Sequence, residues 1–80
     1  MKVFFYGRLA DAIGRELEIE IPLGCSIGQL RERLVAEHPD AEQPLRNIRS
    51  RACVDDVLVQ DAFVFDVVNR IEFFPPVSGG

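Results

Sequence analysis

LEIEIPLGCSIGQLRERLVAEHP, residues 17–39, changes its periodicity part-way, and that change decides the fold. From Leu17 to Ile21 apolar and acidic residues alternate strictly. Leu17, Ile19 and Ile21 then point one way and Glu18 and Glu20 the other, as in a half-buried β-strand. Pro22 and Gly24 stop the strand. Ser26 with Gln29 three residues on has the spacing of a capping box. From there Ile27, Leu30 and Leu34 recur at helical spacing, with Arg31, Glu32, Arg33 and Glu37 assigned to the opposite side. His38-Pro39 ends the helix, because proline disfavours helical backbone in the residue before it. His38 reads as a helix-terminal or surface residue, having no second ligand or nucleophile beside it in sequence. A one-sided strand feeding a one-sided helix calls for a sheet with a helix laid across one face.

The flanking segments extend this picture in both directions. Upstream, KVFFY (2–6) is a short β-rich run with apolar groups on both sides of the pleat, as in a central strand covered on both faces or partly exposed to a partner. Gly7 ends it, LADAIG (9–14) reads as a fairly long connection, and the two strands form a hairpin. Downstream, residues 39–50 look loop-like, with Pro39, Asp40, Pro44 and Asn47, and with Leu45 and Ile48 expected to pin the segment to the core. RACV (51–54), an Asp55-Asp56 turn and VLVQ (57–60) make a second hairpin. RIEFF (70–74) is the last strand, with Ile71 and Phe73 on one side and Glu72 and Phe74 on the other. Pro75-Pro76 then blocks further ladder pairing. Phe63, Val64, Phe65, Val67 and Val68 are unusually apolar for a connection, and form either additional core or a sticky surface. The expected class is α+β, a mixed sheet of about five strands with one main helix. One domain covers residues 1–76, and residues 77–80 project from it.

Composition narrows the function. A net charge of -4 opposes nucleic acid as main partner, since phosphate binding needs clustered, uncompensated cations. The basic run Arg46, Arg49 and Arg51 reads as a solvated loop or a rim contact rather than an RNA site. Cys25 and Cys53 lack a second pair, so neither a zinc site nor a redox pair is indicated. Cys53 lies in an apolar run and reads as a small hydrophobe. Cys25 precedes a helix and is either the same or a thiolate favoured by the dipole. No secretory signal or long apolar stretch is visible, so a cytoplasmic location without membrane contact is expected. No phosphate-cradling loop and no recognisable nucleophile–base pair is present either.

What remains is the end of the sequence, FFPPVSGG (73–80). Two prolines favour an extended, stiff backbone. Six residues from Pro75 to Gly80 span roughly 20 Å at about 3.3 Å each, enough to enter a partner's active site. Gly79 and Gly80 carry no side chains, so a narrow channel admits them, and a carboxylate arrives first. ATP activates such a group to an acyl-adenylate, from which a nucleophile displaces AMP.

Together, KVFFYGRLADAIG (2–14), SIGQL (26–30), CVDDVLV (53–59) and above all FFPPVSGG resemble the small subunit of molybdopterin synthase, the MoaD family of sulfur carriers. The resemblance covers nearly the whole chain and implies a β-grasp, ubiquitin-like fold. It implies that Gly80 is adenylated by a MoeB-like activating enzyme using ATP and converted to a thiocarboxylate. Pro75, Pro76, Val77, Ser78 and Gly79 would then carry it into a MoaE-like large subunit, where sulfur passes to a pyranopterin precursor. Tyr6, Leu58 and Phe74 match hydrophobic positions that contact the large subunit, and the domain itself binds no cofactor or metal. The stretch Val67-Val68-Asn69 departs from the family, where many relatives carry a glycine-containing turn. Sulfur carriers of thiamine, cysteine or tRNA thiolation pathways, a ubiquitin-like modifier conjugated through Gly80, and a plain interaction domain are the rival readings.

Overall fold

The computed structural model describes residues 1–22, 24–66 and 69–76. Five strands, β1 (Lys2–Phe5), β2 (Glu16–Glu18), β3 (Arg51–Val54), β4 (Val57–Val59) and β5 (Ile71–Phe74), form one mixed sheet in the order β2-β1-β5-β3-β4. The first and last strands lie side by side and parallel at its centre, and the other neighbours are antiparallel. Helices α1 (Arg8–Ile13), α2 (Ile27–Glu37) and α3 (Glu42–Arg46) complete the described elements, with a 3-10 turn over Pro39–Ala41. This is a β-grasp arrangement.

Alternation along the strands sets the core. Val3, Phe5, Ala52, Val54, Ile71 and Phe73 are buried against Ile27, Leu30 and Leu34 of α2, with Leu9 and Leu45 closing the ends. Phe5 and Phe73 pair across the two central strands with ring centroids 6.0 Å apart. The expected capping box forms: the Ser26 hydroxyl accepts from the Gln29 amide at 3.2 Å, and the Gln29 side chain accepts from the Ser26 amide at 2.9 Å. At the far end the His38 backbone amide donates to the Leu34 carbonyl. Asp55 and Asp56 form the β3–β4 turn with φ of 49° and 68°, the primed geometry that fits the twist of a tight hairpin.

The structure corrects the sequence reading in four places. LADAIG is helical rather than loop, because Leu9 buries completely while the Gly7 carbonyl accepts from the Asp11 amide. Residues 39–46 are wound into two short helical turns, not a loop. Leu45 does pin them, but Ile48 is 91% exposed. Regular pairing of β2 stops at Glu18, although Ile19 is buried and Leu17 and Ile21 pack against the core as their alternation requires. Arg31, assigned to the solvent side of α2, is buried. In the apolar stretch before β5, Phe65 joins the core while Phe63 and Val64 are exposed; Val67 and Val68 lie outside the described residues.

Candidate functional site

The outer face of the sheet, opposite the core, carries the side chains that alternate with it. Across the strands one row reads Glu16, Phe4, Glu72, Cys53, Leu58, fixed by the register Phe4↔Glu16, Phe4↔Glu72, Cys53↔Glu72 and Cys53↔Leu58. The next row toward the C-terminal end of β5 holds Phe74, in register with Arg51. Tyr6, one residue beyond β1, stacks flat on Phe74, with ring centroids 4.7 Å apart and planes 5° from parallel. Tyr6 is 38% and Leu58 59% exposed, and Phe74 is half-buried beneath Tyr6. The three sequence-predicted interface residues therefore share one face. Tyr6 and Phe74 touch, whereas Leu58 stands two strands from Phe74, at the β4 edge.

Polar groups are threaded through this apolar face. The Tyr6 hydroxyl donates a short hydrogen bond to the Glu72 carboxylate. That bond pushes the phenol above its ordinary pKa, because the proton-bearing form is the one that donates; partial desolvation adds to the shift. Arg70 lies with its guanidinium 4.0 Å above the Phe4 ring and 3.8 Å from the Glu72 carboxylate. Cys53 is half-buried rather than fully inside. Burial raises its thiol pKa, and the nearby Glu72 and Asp56 charges raise it further, so the thiol stays protonated and unreactive near neutrality.

Where β5 leaves the sheet, the tail root is held from two sides. The Ser50 hydroxyl donates to the Phe74 carbonyl at 3.1 Å and accepts from Arg31 at 2.9 Å. On the other side Gly7, at φ 57°, lies against Pro75: a side chain's Cβ there would come within 2.8 Å of the proline ring. Only glycine suits both the backbone angle and the approach. Pro75 and Pro76 are half-buried at this exit. Val77, Ser78, Gly79 and Gly80 lie outside the described residues.

Glu72, Ser50, Gly7 and Arg31 are functional candidates that sequence reading missed. For Glu72 a signal was present, since its alternation with Phe73 places it on Phe74's face. For Ser50 none was, because its partners come from Arg31 and Phe74. The basic run behaves as a solvated rim: Arg46 pairs with Glu32 at 2.8 Å and Glu42 at 3.1 Å, and Arg51 donates to the Ile48 carbonyl. Among the described residues no cluster of His, Cys, Asp and Glu has the form of a metal site, and no helix is long and apolar enough to cross a membrane.

A profile described as the ThiS family matches residues 3–80. The chain belongs to the ThiS family. Its fold is similar to SAMP1 from Haloferax volcanii, at TM-score 0.82 and 20% identity, covering 99% of this chain and 97% of that one. It is also similar to a putative molybdopterin converting factor, subunit 1, from Pyrococcus furiosus, at TM-score 0.80 and 23% identity, covering 95% of each chain. A third similar chain, at TM-score 0.65 and 20% identity, covering 99% of this chain and 96% of that one, comes from the complex of subunits 1 and 2 of molybdopterin-converting factor from Helicobacter pylori 26695. At these identities the likeness shows the fold alone. No curated protein matches the chain. This ThiS-family chain is thus a ubiquitin-like carrier of the ThiS/MoaD kind.

Proposed function

We propose that this ThiS-family protein is the sulfur-carrying small subunit of a molybdopterin synthase, working in the cytoplasm. The observation that carries the reading is the placement of β5. A central strand, tied on both edges, presents Phe74 on an exposed aromatic face and leads directly into PPVSGG. A partner that covers Tyr6, Phe74 and Leu58 thereby receives the tail at a fixed point. In the proposed chemistry, a Gly80 carboxylate oxygen attacks the α-phosphorus of ATP on a MoeB-like enzyme and pyrophosphate leaves. Hydrosulfide-level sulfur from the donor then attacks the acyl carbon and displaces AMP to give the thiocarboxylate. Pro75 to Gly79 carry that group into a MoaE-like large subunit, which holds the pyranopterin precursor. The Pyrococcus and Helicobacter relatives, the latter in complex with its subunit 2, support this choice.

The SAMP1 likeness favours a second reading, in which Gly80 is joined to lysines of other proteins. Intact-mass measurement separates the two after incubation with ATP, an activating enzyme and a sulfur donor. Replacement of one oxygen by sulfur at Gly80 is expected; isopeptide-linked products without any sulfur-loaded form would overturn the synthase reading. Docking is tested separately by Phe74→Asp. Because Phe74 is half-buried on the outer face, the substitution is expected to weaken large-subunit binding at least tenfold while lowering stability by about 1 kcal/mol. Calorimetric Kd values and melting curves give the ranking, and a larger effect on folding than on binding would return Phe74 to the core.

A further inference from the structure

Glu72 is an anomaly on this face. Its register neighbours are Phe4 and Cys53, and the Tyr6–Phe74 stack lies alongside, yet the residue is only 8% exposed in the free chain. A carboxylate offers about four acceptor positions. Among the described residues its hydrogen-bond donor is the neutral Tyr6 hydroxyl. Arg70 does not complete the set: at 3.8 Å it is beyond hydrogen-bond length, and its guanidinium is engaged with the Phe4 ring. With 8% of its surface exposed, Glu72 leaves the remaining acceptor positions within reach of water while the face is open. A partner that covers Tyr6 and Phe74 strips that water away, and an ionised carboxylate left without replacement donors costs more than the surrounding apolar contacts return.

From this we infer that the partner surface for this face carries an arginine or lysine, set among apolar groups, that lands on Glu72. The inference rests on the docking role proposed above and adds the chemistry of the partner to it. The occupant is a protein with a cationic centre and an apolar surround. A wholly apolar surface leaves the carboxylate with Arg70 at 3.8 Å as its counter-charge and adds no donor to the Tyr6 hydroxyl, and an acidic one meets it with repulsion. The position makes Glu72 a specificity residue rather than a steering charge. It sits at the centre of the patch, where desolvation makes a charge pair strong and directional, not at the rim where salt screens it.

The test uses the large-subunit homologue and the activating-enzyme homologue from the same genome as separate probes, with binding followed by calorimetry and surface kinetics. Glu72→Gln keeps the shape and an acceptor for Tyr6, and its melting curve checks that the fold is retained. For whichever probe binds this face, it is expected to raise Kd about tenfold to hundredfold, mainly through faster dissociation. Glu16→Gln removes a carboxylate from the same row but at the exposed β2 edge, and is expected to change Kd less than about threefold. Glu72→Lys is expected to abolish binding, and reversal of one partner arginine or lysine to glutamate to restore it. Equal or tighter binding by Glu72→Gln overturns the inference, as does an equal effect of Glu16→Gln or rescue by no partner reversal. If the unaltered chain binds neither probe, the docking role falls first and takes the inference with it.

Discussion

Removal of Gly80 alone is expected to abolish sulfur loading and leave the melting temperature unchanged. The two halves of this result have separate causes. Every buried apolar residue among those described lies between Val3 and Phe73, and these residues make up the described core. Truncation by one glycine removes none of it, and a shift below about 1 °C is expected. Activation, by contrast, depends on where a single carboxylate arrives. Shortening the tail withdraws that group by about 3.3 Å, and misplacement of a reacting atom by even about 1 Å costs on the order of a hundredfold in rate. The residual loading should therefore fall below detection by intact mass. Glycine at position 80 is also the slimmest bearer of the carboxylate, so Gly80→Ala should load more slowly than the unaltered chain yet faster than the truncation. If the truncated chain loads normally, Gly80 is not the carrier residue. If it melts much lower, residues 77–80 belong to the folded body and the proposed projecting arm is wrong.

Most of the fold was legible in sequence because two periodicities compete cleanly in it. Alternation gave Leu17, Ile19 and Ile21 one side and Ile71 and Phe73 another. Ser26 with Gln29 marked the helix start, and Asp55-Asp56 marked the hairpin turn. The failures are equally physical. On a helical wheel Arg31 lies about 40° from Ile27 and about 40° from Val35, so its angle places it on the buried side and only its charge argued otherwise. Ile48 is apolar but belongs to no periodic pattern, so nothing in sequence distinguished an anchor from an exposed loop residue. For the site, parity was readable and contact was not. Alternation put Phe74 beside Glu72, but the stack with Tyr6 and the near-burial of the carboxylate depend on β1 and β5 meeting in parallel, with Tyr6 and Glu72 separated by 66 positions in sequence. The tail's chemistry was legible as composition, whereas its anchoring through Ser50 and Gly7 was not.

Arg31→Met is expected to be the most damaging charge removal among the described residues, lowering stability by about 3 kcal/mol. Arg31 Nη1 donates to the Leu45 carbonyl at 2.7 Å and to the Ser50 hydroxyl at 2.9 Å. Nε and Nη2 reach the two Asp61 oxygens at 3.2 and 2.9 Å, and the guanidinium lies 5.2 Å from the centre of the Phe73 ring. Leu45 is in the last turn of α3, so its carbonyl lacks a helical partner and Arg31 supplies one from inside the fold. Methionine retains the apolar stem but leaves that buried acceptor unsatisfied and the Ser50 hydroxyl short of its donor, each costing about 1–3 kcal/mol. Asp61, by contrast, has a side chain 56% exposed, so its ion pair is screened and Asp61→Asn should cost less than about 1 kcal/mol. Urea denaturation checks the order: a lower midpoint at unchanged slope for Arg31→Met, with Asp61→Asn close to the unaltered chain. Equal losses would make the ion pair, not the buried carbonyl and hydroxyl, the source of stability. A neutral Arg31→Met would mean that the cost of burying the guanidinium cancels its bonds. The same substitution reaches the tail, because Ser50 passes the constraint from Arg31 to the Phe74 carbonyl, the last strand residue before Pro75. A stability effect centred on α2 and α3 should therefore be accompanied by slower sulfur loading at temperatures where the variant is still folded.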